Sequence, residues 1–344
     1  MQPTSQLATP DTGLDVVTGS FSYSGRAITE RLVATGRQVR TLTGHPDRAE
    51  PATPIDVRPL QFDDLAGLTT SLLGATTLYN TYWVRFAHGA STHDVAVANS
   101  CRLFEAARRA GVRRIVHISI TNPSVDSPHP YFRGKALVER ALEDSGVPHT
   151  VLRPGILFGR DGVLLNNIAW LLRHLPVFAV GGDGRYRVRP VHVDDLARLC
   201  VDAADEQGVA VRDAVGPERP TFLELVDTIR SAIGSRSRIM HVPGVVIPML
   251  ADALNIALRD VVLTKDEYAS MAQGLADTSG PATGQTSVSA WIAANASTLG
   301  RRYLNELDLH YQQPSRLIGQ HVASRPSARV DVPRSGVEAG GIHL

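Results

Sequence analysis

From Leu14 to about Arg153, short apolar runs alternate with segments whose apolar residues recur every three or four positions. The run "LDVVTG" reads as a strand and "SGRAITERLVATG" as a helix closed by Gly36. "QVRTLT" and "IDVRPLQF" follow as strands, and "DDLAGLTTSLLG" as a helix opened by Asp63. "ATTLYN" is the next strand, followed by a helix over Asp94–Ala110, the strand "RRIVHIS", a helix over Tyr131–Ser145 and the strand "PHTVLRPG". Strict alternation of this kind predicts an α/β fold: a doubly wound, Rossmann-type parallel sheet with crossover helices on both faces.

Beyond Pro154 the pattern loosens. Helices are expected at 163–174, 193–206 and 221–233, with short strands in "RDAVG" and "SRIMHV". A loop over Ala276–Gly284 leads to a last helix, Ser287–Tyr311. The predicted organisation is a nucleotide-binding domain over 14–160, its last sheet strands drawn from about 177–242. A smaller C-terminal α/β lobe over 161–311 faces the substrate. The segment 312–344, rich in Pro, Ser, Arg and Gly, is expected to be disordered.

Composition narrows the function classes. The chain has 344 residues, 43% hydrophobic, with a net charge of +1, so nothing suggests a nucleic-acid partner held by a basic field. Two cysteines without paired spacing argue against a disulfide framework or a metal site. No apolar run suits a membrane span and the N-terminus lacks signal-peptide character, so a soluble cytoplasmic protein is expected. The expected partner is a small-molecule substrate, and a homodimer is left open.

The stretch "VTGSFSYSGRAI" carries the first chemical signal. Gly19, Ser22 and Gly25 have the spacing of a dinucleotide-binding turn between a strand and a helix. Small residues let the backbone of Gly19, Ser20, Phe21, Ser22, Tyr23 and Gly25 approach a pyrophosphate, whose charge sits at the helix N-terminus. At the end of the second strand, an acid would select NAD and a cation NADP. The sequence there has Thr43, Gly44 and His45, flanked by Arg40 and Arg48, which tilts the choice to NADP over NAD. Gln61 is placed to reach the adenine edge.

Only Lys135 and Lys265 are lysine among 35 Lys plus Arg. Lys135 follows Tyr131 by four residues, so both lie on one helix face. An ammonium beside a phenol stabilises the phenolate and lowers its pKa, and can also hold a ribose. Ser119, with Thr121 as its understudy, ends the fifth strand where a hydroxyl would polarise a substrate oxygen.

With "LRPGILFG" and "VHVDDLA" added, these motifs resemble the extended and atypical short-chain dehydrogenase/reductase superfamily, NAD(P)-dependent epimerase/dehydratase-like, over residues 14–235. "YFRGKALVER", "FGRDGVLLNNIAWLLR" and "RPVHVDDLARL" look most like its NmrA-like and complex-I-accessory-subunit-like branch. The resemblance implies Tyr131 as catalytic acid–base, Lys135 as its partner and ribose ligand, Ser119 as substrate-oxygen donor, and Pro154 beside the nicotinamide. It implies an oxidoreductase or epimerase moving hydride at a carbonyl or alcohol carbon; the alternative is a non-catalytic NAD(P)H-binding scaffold or redox sensor. After the fourth strand, Asn80, Thr81, Tyr82 and Trp83 replace the small residues that usually pass the cofactor, either to bind substrate or to close the pocket. Arg185, Arg187 and Arg189 alternate on an expected strand, facing an anionic substrate or solvent, and Asn166 and Asn167 are expected to line the same cleft. Asp194 and Asp195 are read as helix-capping residues.

Overall fold

The computed structural model describes residues 13–49 and 54–311. The expected tail, 312–344, therefore lies outside the described residues. In the first half, strands β1 (Leu14–Thr18), β2 (Gln38–Thr43), β3 (Asp56–Pro59), β4 (Ala75–Asn80), β5 (Arg114–Ile118) and β6 (His149–Pro154) alternate with helices. Those helices are α1 (Tyr23–Ala34), α2 (Leu65–Leu72), α3 (His93–Arg109) and α4 (Pro130–Asp144). The second half adds β7 (Ile156–Phe158), α5 (Val163–His174), β8 (Val177–Gly181), β9 (Pro190–His192), α6 (Val193–Asp202) and β10 (Ala210–Ala214). It ends with α7 (Phe222–Ala232), β11 (Arg238–Val242), α8 (Ile247–Leu258), α9 (Lys265–Ala272), α10 (Val288–Asn295) and α11 (Glu306–Tyr311).

Seven parallel strands form one sheet in the order β10-β6-β5-β4-β1-β2-β3. Successive residues of a strand face opposite sides. Val16, Leu78, Ile115 and Val151 thus join the core under α2, α3 and α4, while Val17, Tyr79, Val116 and Leu152 join the core under α1 and α6. Because β4 returns beside β1, on the opposite side from β2, the strand order reverses between β1 and β4 and opens a crevice at their C-terminal ends.

Of the strands expected from 177–242, β10 joins the main sheet, whereas β8 and β11 pair with each other. Phe178 and Val180 of β8 pack with Leu171 and Ile229 in a separate lobe core, which holds this pair away from the sheet. The expected last helix is instead two short ones, broken before Gly300, whose φ is +70°. A Cβ on Gly300 would lie 2.5 Å from the backbone of Ala169 and Trp170, so the chain can press against α5 only by turning there. Helix α2 opens at Asp64 rather than Asp63, with Asp64 Oδ1 accepting from Gly67 N at 2.9 Å. The alternating arginines do not form a strand. Arg187 donates to the Arg219 carbonyl at 2.7 Å, and buried Arg189 donates to the carbonyls of Gly216, Thr278 and Gly280. Among the described residues, no helix is long and apolar enough to cross a membrane.

Candidate functional site

The glycine turn stands at the mouth of this crevice. Gly19 has φ +70° and donates its N–H to Leu42 O at 2.8 Å, tying the turn to β2. A Cβ on Gly25 would fall 2.1 Å from Gly19 O, so α1 reaches the turn only because position 25 has no side chain. Ser22 does not point its hydroxyl outward. It donates to Gly19 O at 2.6 Å and pins the turn, leaving the first N–H groups of α1 uncapped by a side chain. Ser20 is likewise fixed internally, its N–H donating to Thr41 Oγ1 at 3.1 Å and its Oγ accepting from Thr29 at 2.7 Å.

From this turn a crevice of about 980 Å³ runs past Phe21 and Tyr23, with Arg48 in its wall as well as Trp83, Arg85 and Tyr131. Arg48 is half-buried and one of its Nη atoms is fully buried without a hydrogen-bond partner among the described residues; burial lowers its pKa. A guanidinium nitrogen so placed is free to donate to an anion in the crevice. Arg40 is not at this wall: Nε donates to Asp56 at 2.7 Å and Nη1 to Ser71 O at 2.8 Å, because its strand faces β3. Thr43 Oγ1 accepts from His45 N at 3.0 Å, while Gly44 and Gln61 are exposed, so none of these four lines the crevice.

The predicted acid–base residues meet around an aromatic cluster. Lys135 is 2% exposed and donates Nζ to Ile118 O at 2.7 Å, with the Trp83 ring 4.7 Å from that nitrogen. The indole rests on Gly134, where an added Cβ would come within 2.7 Å of it. It stacks on His93 at 5.8 Å and meets Tyr131 edge-on at 5.7 Å. Tyr131 remains in the crevice wall, whereas Lys135 and Ser119 do not. Ser119 N–H donates to Leu152 O, and its buried Oγ has no partner among the described residues. Burial pushes the Lys135 pKa down to about 7. The Tyr131 phenol is raised well above its ordinary value by burial and then by Glu267, with Arg85 opposing. This is the reverse of an ammonium-activated phenol.

Other expected ligands serve the scaffold. Asn80 accepts from Thr18 Oγ1 and Tyr82 N and donates to His117 Nδ1, and Thr81 donates to Thr18 O, so both knit β1 to β4. Tyr82 leaves the crevice to accept from Asn99 at 2.9 Å and to pack on Phe62. Thr121 Oγ1 donates to Leu275 O, and Pro154 O accepts from Thr121 N, clamping the C-terminal loop against the sheet edge. Asn166 and Asn167 bind the carbonyls of Arg302 and Leu304, so they hold the segment before α11 rather than a cleft ligand. Asp195 accepts from Gln285 and Thr286 N–H groups instead of capping its own helix, where His192 takes Asp194 N–H.

Against known proteins, residues 19–207 match the model of a family described as NAD(P)H-binding. The chain belongs to this NAD(P)H-binding family. Its relatives include the NADH-ubiquinone oxidoreductase 40 kDa subunit of Neurospora crassa, 27% identical over 52% of this chain and 47% of that protein. Subunit 9 of the NADH dehydrogenase 1 alpha subcomplex of Dictyostelium discoideum is 25% identical over 67% of each. The chain thus spans about half the length of the first of these curated relatives. An Escherichia coli NADPH-dependent quinone oxidoreductase, solved with NADPH, shares the fold with TM-score 0.68 and 20% identity over 83% of this chain and 99% of its own. A Citrobacter triphenylmethane reductase does so with TM-score 0.67 and 16% identity over 82% and 98%.

The crevice of this NAD(P)H-binding protein fits a dinucleotide on its own geometry: a close-approach turn, an uncapped helix start and an unpartnered guanidinium nitrogen. Two features of it were not read from the sequence. Arg85, in the wall, donates to Glu267 at 2.6 Å, pairs with Glu306 at 3.1 Å and reaches Val262 O at 3.2 Å. No local spacing announces partners so far along the chain. The seat of Trp83 on Gly134 and Lys135 depends on how the segment after β4 and helix α4 meet in space.

Proposed function

We propose that this protein binds NADPH in the crevice and holds it as a scaffold or redox sensor, without proton transfer through Tyr131. The observation that carries this reading is the Trp83 indole lodged over Lys135 Nζ, in front of the acid–base pair. Bound, the cofactor would supply a hydride donor. The chain's own contributions are the Gly19–Gly25 turn and α1 start for the pyrophosphate, and Arg48 for the extra phosphate that separates NADPH from NADH. A charge-assisted pair of that kind is worth about 1.5–3 kcal/mol, or at least roughly tenfold in affinity.

A second reading, an oxidoreductase acting on a carbonyl or alcohol carbon, is favoured by Tyr131 in the wall and by the unpartnered Ser119 hydroxyl. It requires Trp83 to leave Lys135. The test is calorimetric titration with NADPH and NADH, followed by cofactor oxidation over a panel of carbonyl and quinone acceptors. The expected result is tighter NADPH binding, a preference removed in Arg48→Gln, and no acceptor reduction that depends on Tyr131. Wild-type turnover that collapses in Tyr131→Phe would overturn the scaffold reading in favour of the second.

A further inference from the structure

A second cavity, of about 950 Å³, opens in the C-terminal lobe, where α5 and α7 end and β11 begins. Its wall carries Arg173, Arg236, Arg238 and Arg301 beside His174, and no carboxylate among the described residues lines it. Arg173 is committed to the protein, donating to Leu299 O at 2.9 Å and Ala296 O at 2.7 Å. Arg301 uses Nε on Ser297 O at 3.0 Å. Arg173 also has its pKa lowered, by burial and then by the like charge of Arg301. Arg236 and Arg238 extend from the alternating run "SRSRI" with Ser237 turned inward between them.

Ser237 is the second, independent sign. It is 3% exposed, its N–H donates to Ser235 Oγ at 3.1 Å, and its own Oγ is buried without a partner among the described residues. A buried hydroxyl left unpaired is costly unless something meets it. Helix C-termini usually repel anions through their terminal carbonyls. Here several of those carbonyls are taken: Leu172 O by Ser235 Oγ, Arg230 O by Ser235 N, and Leu171 O by Leu175 N. The fully charged groups in the lining are the guanidinium groups. Leu175, Val177 and Ile233 add an apolar wall.

We propose that this cavity is a second ligand site, for a soluble phosphorylated small molecule whose phosphate is met by Arg236, Arg238, Arg301 and the Ser237 hydroxyl. Several guanidinium forks around one concavity suit a multi-oxygen anion better than a single carboxylate. The apolar wall suits the organic remainder of such a molecule. The concave shape, on a chain of net charge +1, favours a small ligand over a nucleic acid or a membrane.

Pyrophosphate is the probe. It is titrated calorimetrically into the full-length protein saturated with NADPH, so that the first crevice is filled. The variants are the double substitution Arg236→Gln with Arg238→Gln, both exposed and outside any core, and separately Ser237→Ala. Binding is expected in the wild type, weakened at least about tenfold in the double variant and about fivefold in Ser237→Ala. NADPH affinity, measured in parallel, should stay within about twofold in all of them, since the sites are separate and share no partner. No pyrophosphate heat at millimolar concentration, equal binding in the double variant, or binding only to vesicles of anionic phospholipid would each overturn the proposal. None of these results would touch the NADPH reading, which stands or falls on the parallel titration.

Discussion

Taking an ammonium out of water beneath an indole costs solvation that one carbonyl and one π face return only in part. That imbalance drives the Lys135 pKa from 10.5 down to about 7. Between those two values the unfolded chain carries a proton on Lys135 that the folded chain does not. Stability therefore rises with pH across that window and is lost as pH falls through about 7. Lys135→Met keeps the length of the side chain and removes the titration. Denaturant unfolding from neutral to alkaline pH should show the wild type gaining on this variant by up to about 1.4 kcal/mol per pH unit. Parallel profiles would mean that the ammonium stays charged beneath the indole. At this scale the sequence was legible where chemistry is local. Tyr131 and Lys135 are one helical turn apart, and the Gly19–Gly25 spacing needs no distant partner. It was illegible where side-chain direction decides. Arg40 and Arg48 flank the same strand end, yet one turns to Asp56 and the other to the crevice, according to which neighbour each faces.

The helices of the C-terminal lobe depend less on their own propensity than on single buried anchors. Helix α11 has only six residues, too few to stand alone in water. It is held by Asp260, 4% exposed, which accepts from Glu306 N and Leu307 N at 3.1 Å each and from Tyr303 Oη at 2.5 Å. Asp260→Ala removes three acceptor interactions and should cost about 2–4 kcal/mol, whereas Tyr303→Phe removes one and should cost about 1 kcal/mol. Urea unfolding of the two variants checks the ratio; equal losses would show that the phenol, not the carboxylate, anchors the helix. The β–α alternation of the first half was readable because each crossover writes its own hydrophobic period. The second half was less so. Its strands are three to five residues long, its helix break rests on how Gly300 meets α5, and Arg189 is buried on carbonyls that no periodicity reveals.

Across the molecule, the loop after β4 and helices α9 and α11 meet at one arginine. Arg85 binds Glu267 of α9 and Glu306 of α11, with the side chains of the three only 30%, 26% and 9% exposed. Glu306, Leu309 and Arg85 all belong to the crevice wall, so this ion-pair node holds part of the wall to the sheet domain. Opposing carboxylates raise the Arg85 pKa against the lowering effect of burial, which keeps the guanidinium charged at any working pH. Arg85→Gln leaves two carboxylates facing each other with a neutral amide between them. The loss should be about 2–3 kcal/mol, below the full cost of breaking a buried pair because water reaches Arg85 and Glu267, though not Glu306. It should also be local. Hydrogen exchange is expected to quicken in α9 and α11 while β1, β4 and β5, whose protection follows global unfolding, change only in step with total stability. Because α11 forms one wall, NADPH affinity should fall by roughly threefold to tenfold through the cost of re-ordering that helix. Unchanged exchange in α9 and α11, with affinity intact, would show that apolar packing alone seats these helices and that the three charges are incidental to the crevice.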